Sequence, residues 1–226
     1  TIGSGGFYGL LEFSISSSKN VIIRNNTYDS ASLVDCNHCL FINNTCVGGS
    51  EYGIRLESSD NNTIRSNNFR SCSMNGVLLF KSNHNAVVNN KVDNGVYSDS
   101  STSNIIVNNT ISRLYDFSED ETWNIANKEY SYSLKFHNSF NNSIIGNRMR
   151  GDSPILYNVS RVQAFDDGSN IWNSSIEGNY WEDWTRPDQN NDGIVDHPYL
   201  IDGGNNSDRM PIAGDRLDLV YDMNRH

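Results

Sequence analysis

The sequence predicts an all-β solenoid, a parallel β-helix with an asparagine ladder and a C-terminal cap. Three observations predict it. A six-residue element recurs along most of the chain, its copies lie at coil-like distances, and an oxygen-rich loop, PDQNNDGIVD at 187–196, follows the last copy.

The recurring element is Asn, any residue, an aliphatic, two more residues, then Asn. It reads NVIIRN at 20–25, NTIRSN at 62–67, NAVVNN at 85–90, NIIVNN at 104–109 and NSIIGN at 142–147. Degenerate copies are HCLFIN at 38–43 and SSIEGN at 174–179. The closing residues are Asn25, Asn43, Asn67, Asn90, Asn109, Asn147 and Asn179, separated by 18, 24, 23, 19, 38 and 32 residues. The shorter spacings are too small for a strand–helix–strand unit, which needs about 30 residues, and they suit one coil of a solenoid. Period-two apolar residues around each Asn place short strands on one core. Asn side chains at equivalent bends can bond to each other and to backbone, which relieves the cost of burying an amide. On this reading Asn25 and Asn43 are buried with the rest. A leucine-rich repeat lacks its Leu spacing here, and a β-sandwich would not keep Asn in phase.

Composition narrows the function. The net charge is −10, which disfavours nucleic acid, because phosphate binding needs clustered Lys and Arg. Hydrophobic content is only 36%, but the apolar residues fall in short β-branched runs, as order requires. The sequence has no run long enough for a membrane span and no basic-then-apolar start of the signal-peptide kind.

The two widest spacings mark insertions, at 112–141 and 150–172, where a solenoid commonly carries its binding face. In the first, Ser118 before Glu119, Asp120 and Glu121 suits the start of a short helix. The acidic run followed by Lys128, Lys135 and His137 reads foremost as a solvated face.

The loop at 187–196 supplies hard oxygens at alternate positions: Asp188, Asn190, Asp192, the carbonyl of Ile194, and Asp196. Gly193 permits the tight turn. This set suits Ca²⁺. Tyr199 stands where an EF-hand carries its bidentate Glu, so Asp183 or Asp202 is expected to complete the shell. The alternative is an Asx-rich turn without metal.

From Val162 onward the chain resembles the C-terminal end of the NosD-like, PbH1-repeat parallel β-helix family, which includes many archaeal cell-surface proteins. The residues that carry the likeness are Gln163, Ala164, Asp166, Gly168, Asn170 and Trp172, then Gly178 to Trp184, Asp188 to Tyr199, and Gly203 to Ile212. The chain departs from the pattern at Thr185-Arg186-Pro187 and Arg209-Met210-Pro211. The resemblance implies a right-handed, single-stranded β-helix that is exported to the cell surface or beyond. It implies coils over 1–184 and a capping segment over 185–226, with Trp172, Tyr180, Trp181 and Trp184 as the apolar part of the cap.

Export gives meaning to two further features. Cys36, Cys39, Cys46 and Cys72 are even in number and are disulfide candidates. Cys46 and Cys72 read as similar phases of adjacent coils, and the pairing stays open, as do free buried thiols. Sequons for N-glycosylation begin at eight asparagines. Asn61, Asn141 and Asn173, each six before a ladder Asn, are the leading candidates, with Asn158 and Asn205 next.

The expected function is a non-catalytic extracellular β-helix: a cell-surface, S-layer or filament unit, adhesive or carbohydrate-binding. Its partners would be further copies of itself, in a polymer or lattice, or surface glycans. The alternative is a polysaccharide lyase or hydrolase with its cleft beside the first insertion. Copper delivery is a distant third, because the five His residues are dispersed and no His-and-Met cluster accompanies them.

Overall fold

The computed structural model describes residues 12–48, 51–70, 72–112, 132–150, 163–184 and 187–214. Seven coils wind through three parallel sheets of seven strands each, a right-handed β-helix. The first sheet stacks β1 (Glu12–Ser16), β4 (Ser30–Val34), β7 (Tyr52–Glu57), β10 (Asn75–Phe80), β13 (Val96–Asp99), β16 (Leu134–His137) and β19 (Ala164–Asp166). The second stacks β2 (Ile22–Arg24), β5 (Leu40–Ile42), β8 (Thr63–Arg65), β11 (Ala86–Val88), β14 (Ile105–Val107), β17 (Phe140–Ile145) and β20 (Ser169–Ile171). The third stacks β3 (Thr27–Tyr28), β6 (Thr45–Cys46), β9 (Asn68–Phe69), β12 (Lys91–Asp93), β15 (Thr110–Ser112), β18 (Arg148–Arg150) and β21 (Tyr180–Trp181). A small antiparallel pair, β22 (Tyr199–Leu200) and β23 (Ser207–Asp208), completes the described structure.

In-register stacking makes like residues neighbours. Ile23, Phe41, Ile64, Val87, Ile106 and Ile144 form one buried column. Tyr28, Cys46, Phe69, Val92, Ile111, Met149 and Trp181 form another. The aromatic members touch: Tyr28 meets Phe41 edge-on at 5.5 Å, and Phe41 stacks on Phe69 at 6.5 Å.

Two asparagine ladders stiffen the stack, one through all seven coils and one from the third coil onward. Between the second and third sheets, Asn90 Oδ1 accepts the Asn67 backbone N–H at 2.8 Å and its side-chain amide at 3.0 Å. Asn67 Nδ2 also donates to Phe41 O at 2.9 Å. The same pattern links Asn26, Asn44, Asn67, Asn90, Asn109, Asn147 and Asn179. Between the first and second sheets, Asn62, Asn85, Asn104, Asn142 and Asn170 form a second ladder. A column of Ser59, Ser82, Ser101 and Ser139 hydroxyls accepts the neighbouring backbone N–H groups beside it. The ladder amides therefore meet partners at successive bends, as a buried polar group requires.

The first two ladder positions correct the sequence reading by one residue. Asn25 and Asn43 are exposed with φ of 57° and 54°, and Asn26 and Asn44 turn inward. Asn tolerates the left-handed region better than most residues, so an Asn-Asn pair places one residue at the bend and one in the ladder. The slip carries the strand with it, since side chains alternate faces. Ile22 is 63% exposed, and Ile23 enters the core. In the last degenerate copy Asn179 is a true rung, but Ile176 is 75% exposed in a Ser174–Glu177 turn.

The first insertion is also shorter than predicted. Residues 134–137 and 140–145 belong to regular strands. Residues 113–131, with the expected helix start at Ser118, and Asn158 lie outside the described residues.

Candidate functional site

Two regions gather chemistry: the C-terminal cap and the outer face of the first sheet. In the cap each asparagine ladder ends on an aspartate. Asp208 Oδ2 accepts Asn179 N–H at 2.6 Å, Asn179 Nδ2 at 3.3 Å and the Trp181 indole N–H at 2.9 Å. Asp166 Oδ1 accepts Asn170 Nδ2 at 2.7 Å and Gly168 N–H at 2.9 Å, and its Oδ2 accepts the Trp172 indole at 2.8 Å. Both carboxylates are buried. Burial raises the pKa of each, and their indole, amide and backbone donors oppose the rise. A Cβ on Gly178 would lie 1.9 Å from Asp208 Oδ1, so glycine is required where the ladder meets its last carboxylate.

An aromatic chain links these ends to the cap. Phe136 meets Trp172 at 5.6 Å, Trp172 meets Trp181 at 6.0 Å, and Trp181 stacks on Tyr199 at 3.9 Å. Trp184 packs edge-on against Tyr199 at 5.6 Å. The Tyr199 hydroxyl accepts Gln163 N–H at 2.7 Å and donates to Asp183 Oδ2 at 3.0 Å. Burial pushes the Asp183 carboxyl up to about 6.

The loop at 187–196 folds its oxygens onto its own backbone. Asp188 accepts from Asp192 N–H at 3.1 Å and Gly193 N–H at 2.8 Å. Asn190 Oδ1 also accepts Asp192 N–H at 3.1 Å, Asp192 Oδ1 accepts Ile194 N–H at 2.8 Å, and Asp196 Oδ2 accepts Gln189 N–H at 2.9 Å. Asn191 and Gly193 take positive φ. Ile194 pairs with Ile212 in an antiparallel bridge, which ties the loop to the end of the described chain. Asp183 and Asp202 are engaged elsewhere: Asp183 with Tyr199, and Asp202 with the Tyr132 hydroxyl at 3.0 Å. Among the described residues no three His, Cys, Asp or Glu side chains come together as a metal group.

On the outer face of the first sheet, Tyr97, Lys135 and Phe165 stand in register on β13, β16 and β19. The Lys135 ammonium lies 5.2 Å from the Tyr97 ring centre and 5.9 Å from that of Phe165. Alongside, Asp99 is in register with His137. His137 Nδ1 meets Asp167 Oδ2 at 2.5 Å, and Asp167 Oδ1 accepts Asn138 N–H at 2.7 Å. Sequence reasoning named Lys135 and His137, but the aromatic residues on either side of Lys135 are separated from it by 38 and 30 residues and carried no local signal.

The remaining candidates distribute as follows. All four cysteines are buried free thiols. Their hydrogen bonds go to backbone carbonyls: the Cys46 thiol donates to Asp29 O at 3.1 Å and the Cys36 thiol to Val34 O at 3.3 Å. Asn61 and Asn141 are exposed at the bend before the second sheet, with φ of 58° and 56°. Asn173 is not at that corner: it follows β20, in which Ser169 pairs with Phe140 and Asn170 continues the ladder from Asn142. Asn173 is half-buried, and its side chain bonds to Ser174 O and Arg209 N–H. Asn205 is exposed. His38 and His84 are exposed at bends two coils apart, and His197 is exposed in the cap.

No helix of the described residues is long and apolar enough to cross a membrane. Among curated proteins no relative matches the chain. A family model described as periplasmic copper-binding protein (NosD) matches residues 8–186, and the chain belongs to that family.

Proposed function

We propose that this chain is an exported, non-catalytic β-helix that serves at the cell surface as a rigid scaffold presenting a glycan-binding face. One observation carries the reading. The buried carboxylates of the motifs that mark the chain, Asp166 and Asp208, are committed to indole and ladder-amide donors. Their chemistry is spent on ending the coil stack, where a free strand end would otherwise expose backbone and core. A general acid or base must instead reach a substrate proton.

Copper does not enter the proposal. Soft and borderline donors suit copper, but the four cysteines are thiols enclosed in the apolar core, and the described histidines are dispersed. Calcium does enter it, as a structural clip on the loop at 187–196. The support is chemical: Asp188, Asn190, Asp192 and Asp196 bring hard oxygens to one short loop.

The test is incubation with acidic and neutral polysaccharides, with and without calcium, followed by sizing of the polymers. Unchanged chain lengths are expected. Shortening of any polymer, lost on substitution of His137 or Asp167, would replace this reading with a lyase or hydrolase.

A further inference from the structure

We propose that the Tyr97–Lys135–Phe165 row on the outer face of the first sheet binds an extended anionic saccharide, bearing uronate or sulfate groups, laid along the helix axis. The inference rests on the exported scaffold reading and names the ligand class of its binding face.

Three observations carry it. The first is charge. The chain carries net −10, yet the Lys135 ammonium meets no carboxylate among the described residues. It lies over the two rings. Rings attract a cation but leave its donors without an acceptor, so an incoming anion completes them.

The second is the state of the neighbouring acids. Asp167 is taken by His137 and Asn138 N–H, and Asp99 by the hydroxyls of Ser100, at 2.8 Å, and Tyr97, at 3.5 Å. Their acceptor positions are partly filled before a ligand arrives.

The third is geometry. The residues sit on three consecutive strands whose pairing is in register, with Tyr132 packed on Phe165 at 5.5 Å. The coil repeat therefore sets ring, cation and ring at intervals of about 4.8 Å. This spacing along a stiff axis offers apolar C–H faces of a sugar chain a surface on either side of the cation, and it favours a long, repeating ligand over a compact one.

Isothermal titration of the full chain with a galacturonate hexasaccharide, a sulfated dextran oligomer and neutral cellohexaose tests the site. Binding of one or both anionic probes, weakened by added salt, is expected. Lys135→Met keeps the stem and removes the charge, and it should weaken binding on the order of tenfold. Lys81→Met removes the same charge from another lysine, which lies over Phe80, and should leave binding unchanged. Tyr97→Ala and Phe165→Ala should weaken both anionic probes. Equal binding of cellohexaose, or equal affinity in Lys135→Met, would overturn the proposal. Polymer sizing separates the two claims: absent binding with intact polymer removes this site alone, whereas cleavage removes the non-catalytic reading.

Discussion

Asp208 stands where the next asparagine of the ladder would be: its Oδ2 receives the Asn179 N–H at 2.6 Å. Asn147 receives Asn109, and Asn179 receives Asn147, in the same way. A rung in mid-stack must accept from one neighbour and donate to the other, which the amide does. The last rung has no further coil to serve, and a carboxylate, an acceptor only, suits it. Trp181 supplies a further donor to the same oxygen, and Met210 N–H donates to Oδ1 at 3.0 Å. Asp166 plays a related part for the second ladder from within the same coil, taking the Asn170 side-chain amide and the Trp172 indole. Asp208 comes from the C-terminal pair of strands, so the cap is joined to the coils through their own ladder.

Mid-ladder asparagines carry more stability than their exposed neighbours. Asn90→Ala removes the acceptor of the Asn67 backbone N–H and of one of its side-chain N–H groups, and takes the side-chain donor from Ile64 O. It should cost about 3 kcal/mol or more, at ~1–3 kcal/mol per orphaned buried group. Asn89→Gly, one residue earlier at φ 55° and exposed, should stay within about 0.5 kcal/mol. Urea denaturation of the two variants makes the comparison.

The cap has an acid-favoured contribution. In the folded chain the Asp183 carboxyl titrates at about 6 because it is buried, and in the unfolded chain at about 4. Its proton uptake on folding stabilises the chain fully below about pH 4, and that stabilisation is lost as pH rises through about 6. The difference in melting temperature between Asp183→Asn and the parent should therefore grow in the variant's favour over this interval. A constant difference would contradict the assignment.

Calcium should raise the melting temperature and chelator should lower it. Asp192→Ala and Asp188→Ala should abolish the difference, because both remove a hard oxygen from the loop at 187–196. Equal melting temperatures for the parent with and without chelator would leave the loop as a turn held by its own Asx hydrogen bonds.

If the chain is exported, as proposed, the buried free thiols Cys46 and Cys72 should form a disulfide. Alkylation after denaturation without reductant should then leave both unlabelled. A staple of this loop length should add about 3 kcal/mol. Labelling of both would show that they persist as thiols.

The coil architecture was legible because Ile64, Val87, Ile106 and Ile144 and the ladder asparagines that follow them repeat in one phase. The phase failed at Asn25 and Asn43, where two adjacent asparagines compete for one inward position and only backbone φ decides. The cap motif around Asp166 was visible as a motif, but its physical role was not: Trp172 is six residues away and Asn142 lies in another coil. Asp208 was harder still, since Asn179 is 29 residues distant. The Lys135 row was invisible for a related reason. Its members meet only through strand register, which spacings of 38 and 30 residues conceal.

A double-mutant cycle on Asp208→Ala and Trp181→Phe tests most directly whether a carboxylate ends the ladder by holding an indole. If it does, the two substitutions couple by roughly 0.5–3 kcal/mol in unfolding free energy. Additivity within about 0.3–0.5 kcal/mol would mean that Asp208 and Trp181 stabilise the cap independently, and the ladder would end at Asn179.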